Sequence, residues 1–81
     1  METREEILEA LIGRIAQITG READTITEDT LFEELNLKSV NISQITTYLE
    51  DETDVEISFM SFKKNKTVGA AADFVFGLLE E

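Results

Sequence analysis

The chain contains no cysteine and no histidine among its 81 residues. Without cysteine it can form neither a disulfide framework nor a thiolate metal site. Without histidine it lacks the commonest general base and the commonest transition-metal ligand. An enzyme built on this chain would have to work with carboxylates, lysines and hydroxyls alone.

Basic residues are also scarce, because 7 lysines and arginines face 18 acids and the net charge is −11. Such a surface repels nucleic acid and anionic membranes, so we predict neither as a partner. The charge suits brief docking on basic partners, and it can equally serve only to keep a small protein in solution. The hydrophobic fraction of 42% argues against disorder.

No apolar run approaches the ~18 residues that a membrane span requires. Residues 1–6 are acidic, with no apolar signal region behind them, and we expect a cytoplasmic protein. The length predicts one domain, residues 1–81. A domain of this size has a thin core and little room for a deep catalytic cavity.

Helical periodicity is the main structural signal. Thr3 and Glu6 form a capping-box pattern, Gly20 is a good stop, and we predict a first helix over residues 3–19. A second helix is predicted from Ser39 to near Asp51. A single turn should begin at Ser58 or Ser61, and a last helix should follow a cap at Thr67. The apolar positions recur at spacings of 3, 4 and 7: Ile7, Leu8, Leu11, Ile12, Ile15, Ile18; Val40, Ile42, Ile45, Tyr48, Leu49; Val68, Ala71, Ala72, Val75, Leu78, Leu79.

The segment from Gly20 to Lys38 breaks this periodicity. Its threonines and aspartates favour turns, yet it also carries five large apolar residues: Ile26, Leu31, Phe32, Leu35, Leu37. We therefore predict a long loop packed on the core, with a helical turn near residues 30–35 and a left-handed Asn36. The fold class is all-α: a bundle of three main helices plus one short helix, with a long loop after the first.

Acids cluster again at residues 50–54, at the end of the second predicted helix. An EF-hand calcium loop would want a third oxygen ligand where Val55 stands, and a glycine after it. We therefore predict no metal site. Farther on, Lys63, Lys64 and Lys66 form a small basic patch, too weak for nucleic acid, and we expect these lysines to pair with acids.

Ser39 lies where the long loop meets the second helix. A serine at this position is commonly a helix cap. It is also a place where an exposed hydroxyl beside the positive end of the helix dipole can carry a phosphate ester. The local sequence leaves both interpretations open.

The arrangement resembles the acyl carrier protein family over nearly the whole chain. That family typically shows a hydrophobic residue and then Leu-Gly-x-Asp-Ser-Leu at the start of its second helix. The positions that fit are Leu35, Leu37, Ser39 and Val40, followed in order by Tyr48-Leu49-Glu50-Asp51, Ile57 and Thr67-Val68-Gly69. The strict signature is broken, so the resemblance depends on the order and spacing of these pieces together.

The resemblance implies that Ser39 is esterified with 4′-phosphopantetheine, which a separate phosphopantetheinyl transferase takes from coenzyme A. The thiol of that arm would carry acyl groups between enzymes, and the carrier itself would be no enzyme. The implied partners are acyl-transferring or synthase enzymes with basic docking surfaces, in fatty-acid, lipid or polyketide-type biosynthesis. We expect a monomer.

Two departures from the family pattern stand beside Ser39. Lys38 replaces an aspartate that commonly helps the transferase and its metal ion, and Asn36 replaces a glycine. The second helix also has no acid between Ser39 and Leu49. We therefore expect a specialised carrier with a restricted set of partners. Two alternatives stay open: an unmodified helical interaction module with the carrier fold, and a peptidyl carrier of a nonribosomal pathway.

Twelve apolar residues are predicted to form the core: Ile7, Leu11, Ile15, Phe32, Ile42, Ile45, Ile57, Phe59, Phe62, Val68, Ala72 and Val75. In the family that the chain resembles, the core can open between the second and third helices to hold an acyl chain. That resemblance makes five residues candidates for a chain-sequestering channel: Ile45, Leu49, Ile57, Phe62 and Val68.

Overall fold

The structure is a computed structural model that describes residues 3–80, so the predicted domain bounds, 1–81, include three residues outside the described range. Within that range five α-helices and one short 3-10 turn (Ala23–Thr25) follow one another, with no β-strand. The all-α prediction is confirmed: the chain has three main helices and one further short helix, with a long loop after the first helix. The helical turn predicted within that loop is a short helix of its own. The helices are α1 (Arg4–Thr19), α2 (Phe32–Leu35), α3 (Ser39–Thr53), α4 (Phe59–Lys63) and α5 (Val68–Glu80).

Helix α1 begins and ends where the sequence predicts. The backbone N–H of Glu6 donates to Oγ1 of Thr3 at 3.2 Å, and the N–H of Thr3 donates to the Glu6 carboxylate at 3.1 Å. This reciprocal pair satisfies N–H groups that have no partner within the helix. Gly20 takes a left-handed conformation, with φ 74°, and its N–H closes the helix on Ala16 at 2.9 Å.

The core lies where α1 packs against α3 and α5. The predicted core residues are buried except Phe32 and Phe59, which are partly buried at its edge. The ring of Phe32 meets fully buried Phe62 edge-on, with 5.8 Å between the ring centroids. Phe32 therefore covers the core from the loop side.

The long loop is fastened to the start of α5 by backbone hydrogen bonds. The N–H of Gly69 donates to the carbonyl of Glu28 at 2.9 Å, and the N–H of Val68 donates to the carbonyl of Thr30 at 3.0 Å. These bonds satisfy N–H groups at a helix start. Ile26 is buried from the same loop, so the loop is part of the packed structure as predicted.

Arg4 links α1 to both α5 and the long loop. Its guanidinium donates to the carboxylates of Asp73 in α5 and Glu28 in the loop. The hydrogen bonds to Asp73 and then Glu28 raise the pKa of Arg4 above its ordinary value.

Helix α3 runs two residues beyond its predicted end near Asp51 and stops at Thr53. The run of acids does not stop the helix at Asp51, because Asp51 and Glu52 are exposed to solvent. Asp54 takes a left-handed conformation, with φ 63°, and its N–H closes the helix on Glu50 at 2.8 Å. A carboxylate oxygen of Glu50 also accepts the N–H of Ile57 at 2.8 Å.

The starts of α4 and α5 agree with the sequence. Ser58 caps α4 by accepting the N–H of Ser61 at 3.3 Å. Thr67 caps α5 by accepting the N–H of Ala70 at 3.1 Å. The stretch before Ser58 is an extended connector without strand pairing among the described residues, as expected.

The expected pairing of the three lysines with acids is wrong within residues 3–80, where both ion pairs are formed by Arg4. Lys63, Lys64 and Lys66 line an open groove in which Glu33 is the one acid. Lys63 instead lies over the ring of Phe59, at 5.9 Å from its centroid.

Within the described range, no helix is both long enough and apolar enough to cross a membrane.

Candidate functional site

Ser39 is the first residue of α3, and the short segment before it is firmly placed. Asn36 ends α2 in a left-handed conformation, with φ 53°, as the sequence predicts. Leu35 is buried, and Leu37 packs partly buried against the core. The apolar contacts of Leu35 and Leu37 therefore hold in place the segment that leads to Ser39.

The capping role considered for Ser39 is wrong, because Lys38 occupies the capping position. A lysine side chain has no acceptor and cannot cap. Oδ1 of Asn41 accepts the N–H of Lys38 at 2.9 Å, which satisfies the capping residue but none of the N–H groups of the first turn. The hydroxyl of Ser39 forms no hydrogen bond with residues 3–80, and the residue is exposed.

The start of α3 favours a negatively charged group. The first bond within the helix joins the N–H of Ile42 to the carbonyl of Lys38, at 3.0 Å, so the N–H groups of the three residues between them have no partner within the helix. The first turn contains no acid. Free N–H groups, the helix dipole and the Lys38 ammonium together suit a phosphodiester on Ser39.

The other three serines of the chain have different surroundings. Ser58 is engaged as the cap of α4, and Ser61 lies within that five-residue helix. Ser43 is exposed on α3, one turn after Ser39. Of the four, Ser39 alone combines exposure with the first position of a long helix.

A shallow cavity of about 260 Å³ lies along α3 next to this site. Its lining consists of Arg14, Val40, Ser43, Gln44 and Thr47. Arg14 comes from α1, and the sequence analysis did not single it out. Its guanidinium lies 5.4 Å from the ring centroid of Tyr48, and its Nη1 donates to Gln17 at 2.9 Å. No local spacing signals this neighbour, because the packing of α1 on α3 brings it there.

The residues of the predicted acyl-chain channel are all closely packed. Four of the five have no exposed surface: Ile45, Leu49, Phe62 and Val68. Ile57 is 6% exposed. They lie together in one core cluster, and their opening around an acyl chain stays a prediction.

Residues 9–75 match the model of a protein family described as the phosphopantetheine attachment site. The match covers most of the chain, and the chain belongs to this family of carrier domains. Its members carry 4′-phosphopantetheine bound covalently to a serine, so the predicted cofactor is confirmed at the level of the family. Carrier domains are generally non-catalytic, and they interact with phosphopantetheinyl transferases and synthase enzymes.

Among residues 3–80 no group of three or more acids is placed to hold a metal ion.

Proposed function

We propose that Ser39 carries the 4′-phosphopantetheine arm and that the chain is an acyl carrier. It would present acyl or related intermediates to partner enzymes in fatty-acid, lipid or polyketide-type biosynthesis. The observation that carries the proposal is the exposed hydroxyl of Ser39, without a hydrogen-bond partner in residues 3–80, at the first position of α3. The position falls inside the family match.

Loading requires coenzyme A and a phosphopantetheinyl transferase. Oγ of Ser39 bonds to the phosphorus that bears the pantetheine, and the bond from that phosphorus to the nucleotide's phosphate breaks. The 3′,5′-bisphosphate of adenosine leaves, and the serine proton passes to a base of the transferase. The new phosphodiester bears one negative charge, which the start of α3 stabilises electrostatically.

The bound arm supplies a terminal thiol that holds the acyl group as a thioester. The residues of the chain contribute position rather than catalysis. Leu35 and Leu37 fix the junction, so the arm starts from a rigid point and its reach is set by its own length. The surface of α3 selects which enzymes may approach.

The partners that we propose are the transferase and acyl-transferring or synthase enzymes. The basic surfaces expected on such enzymes would meet exposed acids such as Asp51 and Glu52 at the far end of α3. We further propose a specialised carrier, because Lys38 and the acid-free stretch from Ser39 to Leu49 restrict the set of partners. The single domain over residues 1–81, the monomeric state and the cytoplasmic location stay predictions from the sequence.

Lys38 also supports a second function, an unmodified interaction module that keeps the fold without the arm. Resembling carriers have an aspartate at this position that aids the transferase, so the reversed charge opposes ordinary loading. A peptidyl carrier would share the arm and its attachment. Its cargo, not its fold, would distinguish it from an acyl carrier.

The test is intact-mass spectrometry after incubation with coenzyme A and either a broad-specificity transferase or one from the native host. The carrier proposal expects a gain of one phosphopantetheine in the unaltered protein and in Ser43→Ala, with no gain in Ser39→Ala. Ser43 is the matched control, because it is exposed on the same helix one turn away. No gain with either transferase supports the interaction module instead.

A further inference from the structure

The outward face of α3 carries no charge along its first two turns. Its exposed residues recur at helical spacing: Val40, Ser43, Gln44 and Thr47. Val40 is 60% exposed, so an apolar side chain faces solvent next to Ser39. The chain has 18 acids, and none of them falls between Ser39 and Leu49.

Two cations flank this uncharged face. Lys38 precedes it and is exposed, and Arg14 of α1 lines the same shallow cavity as Val40 and Gln44. Neither cation forms an ion pair with an acid of residues 3–80, where Arg4 makes both pairs. Nε of Arg14 is buried and has no hydrogen-bond partner within that range. Two cations without ion pairs among residues 3–80 therefore border this face, in a protein whose net charge is −11.

We infer that this face, formed by Lys38, Val40, Ser43, Gln44, Thr47 and Arg14, docks a partner protein that presents carboxylates around an apolar side chain. The inference rests on the proposed carrier function, because the partner would receive the arm from Ser39. The carboxylates pair with the two cations, and the apolar side chain contacts Val40. Complementary charge of this kind fixes register and excludes partners of the wrong sign more than it adds affinity.

The charge order along α3 also orients the partner. Asp51 and Glu52 lie about 18 Å from Ser39 along the helix, at 1.5 Å per residue. A partner must therefore place carboxylates where the arm enters and basic groups at the far end. An enzyme with a uniformly basic docking surface meets repulsion from Lys38 and Arg14. On this inference, the general partners of acidic carriers would be excluded although the protein is strongly acidic.

Carbodiimide cross-linking tests the inference, because the reagent joins a lysine amine only to a carboxylate in contact with it. The isotope-labelled chain would be mixed with a lysate of its native host, treated with the reagent and digested. Linked peptides are then identified by mass. We expect the amine of Lys38 to be joined to aspartate or glutamate of a partner protein. The supporting result is the identity of the linked side chains, not the capture of a protein.

Matched variants distinguish a specific contact of this face with a partner from random cross-linking. Lys38→Arg keeps the charge but removes the amine, so it should lose the Lys38 links and keep the links made by Asp51 or Glu52. Lys38→Glu should lower those remaining links about tenfold, since it sets like charges against each other. Val40→Ser should lower them several-fold, whereas Met60→Ser, an equally exposed apolar residue on α4, should not.

Three results would overturn the inference. One is a set of cross-links in which lysines of the partner are joined to acids of α3 while no cross-link involves Lys38. Another is Lys38 joined only to a second copy of this chain, which a mixture of labelled and unlabelled protein reveals. The last is no Lys38 link above the level of Lys38→Arg. Failure of the carrier proposal is separate, because intact mass shows directly whether Ser39 is loaded, and Lys38 links do not depend on loading.

Discussion

The backbone N–H of Lys38 donates a hydrogen bond to Oδ1 of Asn41 at 2.9 Å, and this bond holds the first turn of α3. Asn41 is the third residue of α3, and its side chain reaches back to the N–H of the capping residue, which is one half of a capping box and leaves the N–H groups of the first turn free. The hydroxyl of Ser39 is left exposed and without a partner in the described range. The bond to Asn41 therefore helps to fix the backbone that precedes the proposed attachment site.

Asn41→Ala removes that bond and should lower the free energy of unfolding by about 1 kcal/mol, the usual net contribution of one hydrogen bond. It should also slow loading of Ser39, because the first turn of α3 frays. Urea denaturation and loading rates measure the two effects. Gln44→Ala is the control, since Gln44 is exposed and forms no hydrogen bond with residues 3–80. Equal stability of the two variants would contradict this account.

Gly69→Ala should destabilise the protein by about 1–3 kcal/mol, the usual range for overpacking. A Cβ at Gly69 would lie 3.0 Å from both the Cβ and the carbonyl oxygen of Glu28. That carbonyl cannot retreat without breaking its bond to the N–H of Gly69, and Arg4 holds the Glu28 side chain. Gly77→Ala, which meets nothing within 4 Å, should instead stabilise by up to about 1 kcal/mol. Thermal unfolding should move the two variants in opposite directions, and a common direction would refute the close contact.

Phe62→Ala should cost about 3–5 kcal/mol, since it empties a fully buried site and removes the edge-on contact with Phe32. Met60→Ala is the neighbour for comparison, because Met60 is 60% exposed on the same helix. Its effect should stay within about 0.5 kcal/mol. Guanidinium denaturation at equilibrium would measure both. A small effect at Phe62 would show that the core yields there, as a site that opens for an acyl chain must.

Lys38→Asp restores the aspartate that resembling carriers have before the serine. We expect loading of Ser39 by a broad-specificity transferase to rise about tenfold, equivalent to about 1.4 kcal/mol of transition-state stabilisation. Initial rates with coenzyme A provide the measurement. Lys64→Asp makes the same charge change at an exposed position outside the site and should leave the rate unchanged. An unaltered rate in Lys38→Asp would show that the transferase does not read this position.

Most of the helical architecture could be predicted from local patterns. The cap at Thr3, the stop at Gly20 and the cap at Thr67 each depend on hydrogen bonds within a few residues, so their signals are local. The end of α3 lies two residues after the predicted Asp51, because the run of acids does not by itself stop the helix. In the structure Asp54 provides the stop through a left-handed conformation, which aspartate adopts more readily than most residues.

The surroundings of the proposed site were harder to predict. Ser39 could be located from the sequence, but it has no capping role because α3 begins at Ser39 itself and Lys38 occupies the capping position. Arg14 approaches Val40 only because α1 packs on α3, and no spacing within either helix encodes that contact. The unpaired lysines were misjudged for a similar reason, since net charge does not say which acids lie within reach.

The most direct test of the central claim is peptide-level mass spectrometry of the protein purified from its native host. The account predicts a phosphopantetheine group on the peptide that contains Ser39, localised to Ser39 by fragmentation. Ser43, Ser58 and Ser61 should be unmodified. A phosphopantetheine on any of those three, or a Ser39 that is never modified in the native host, would contradict it.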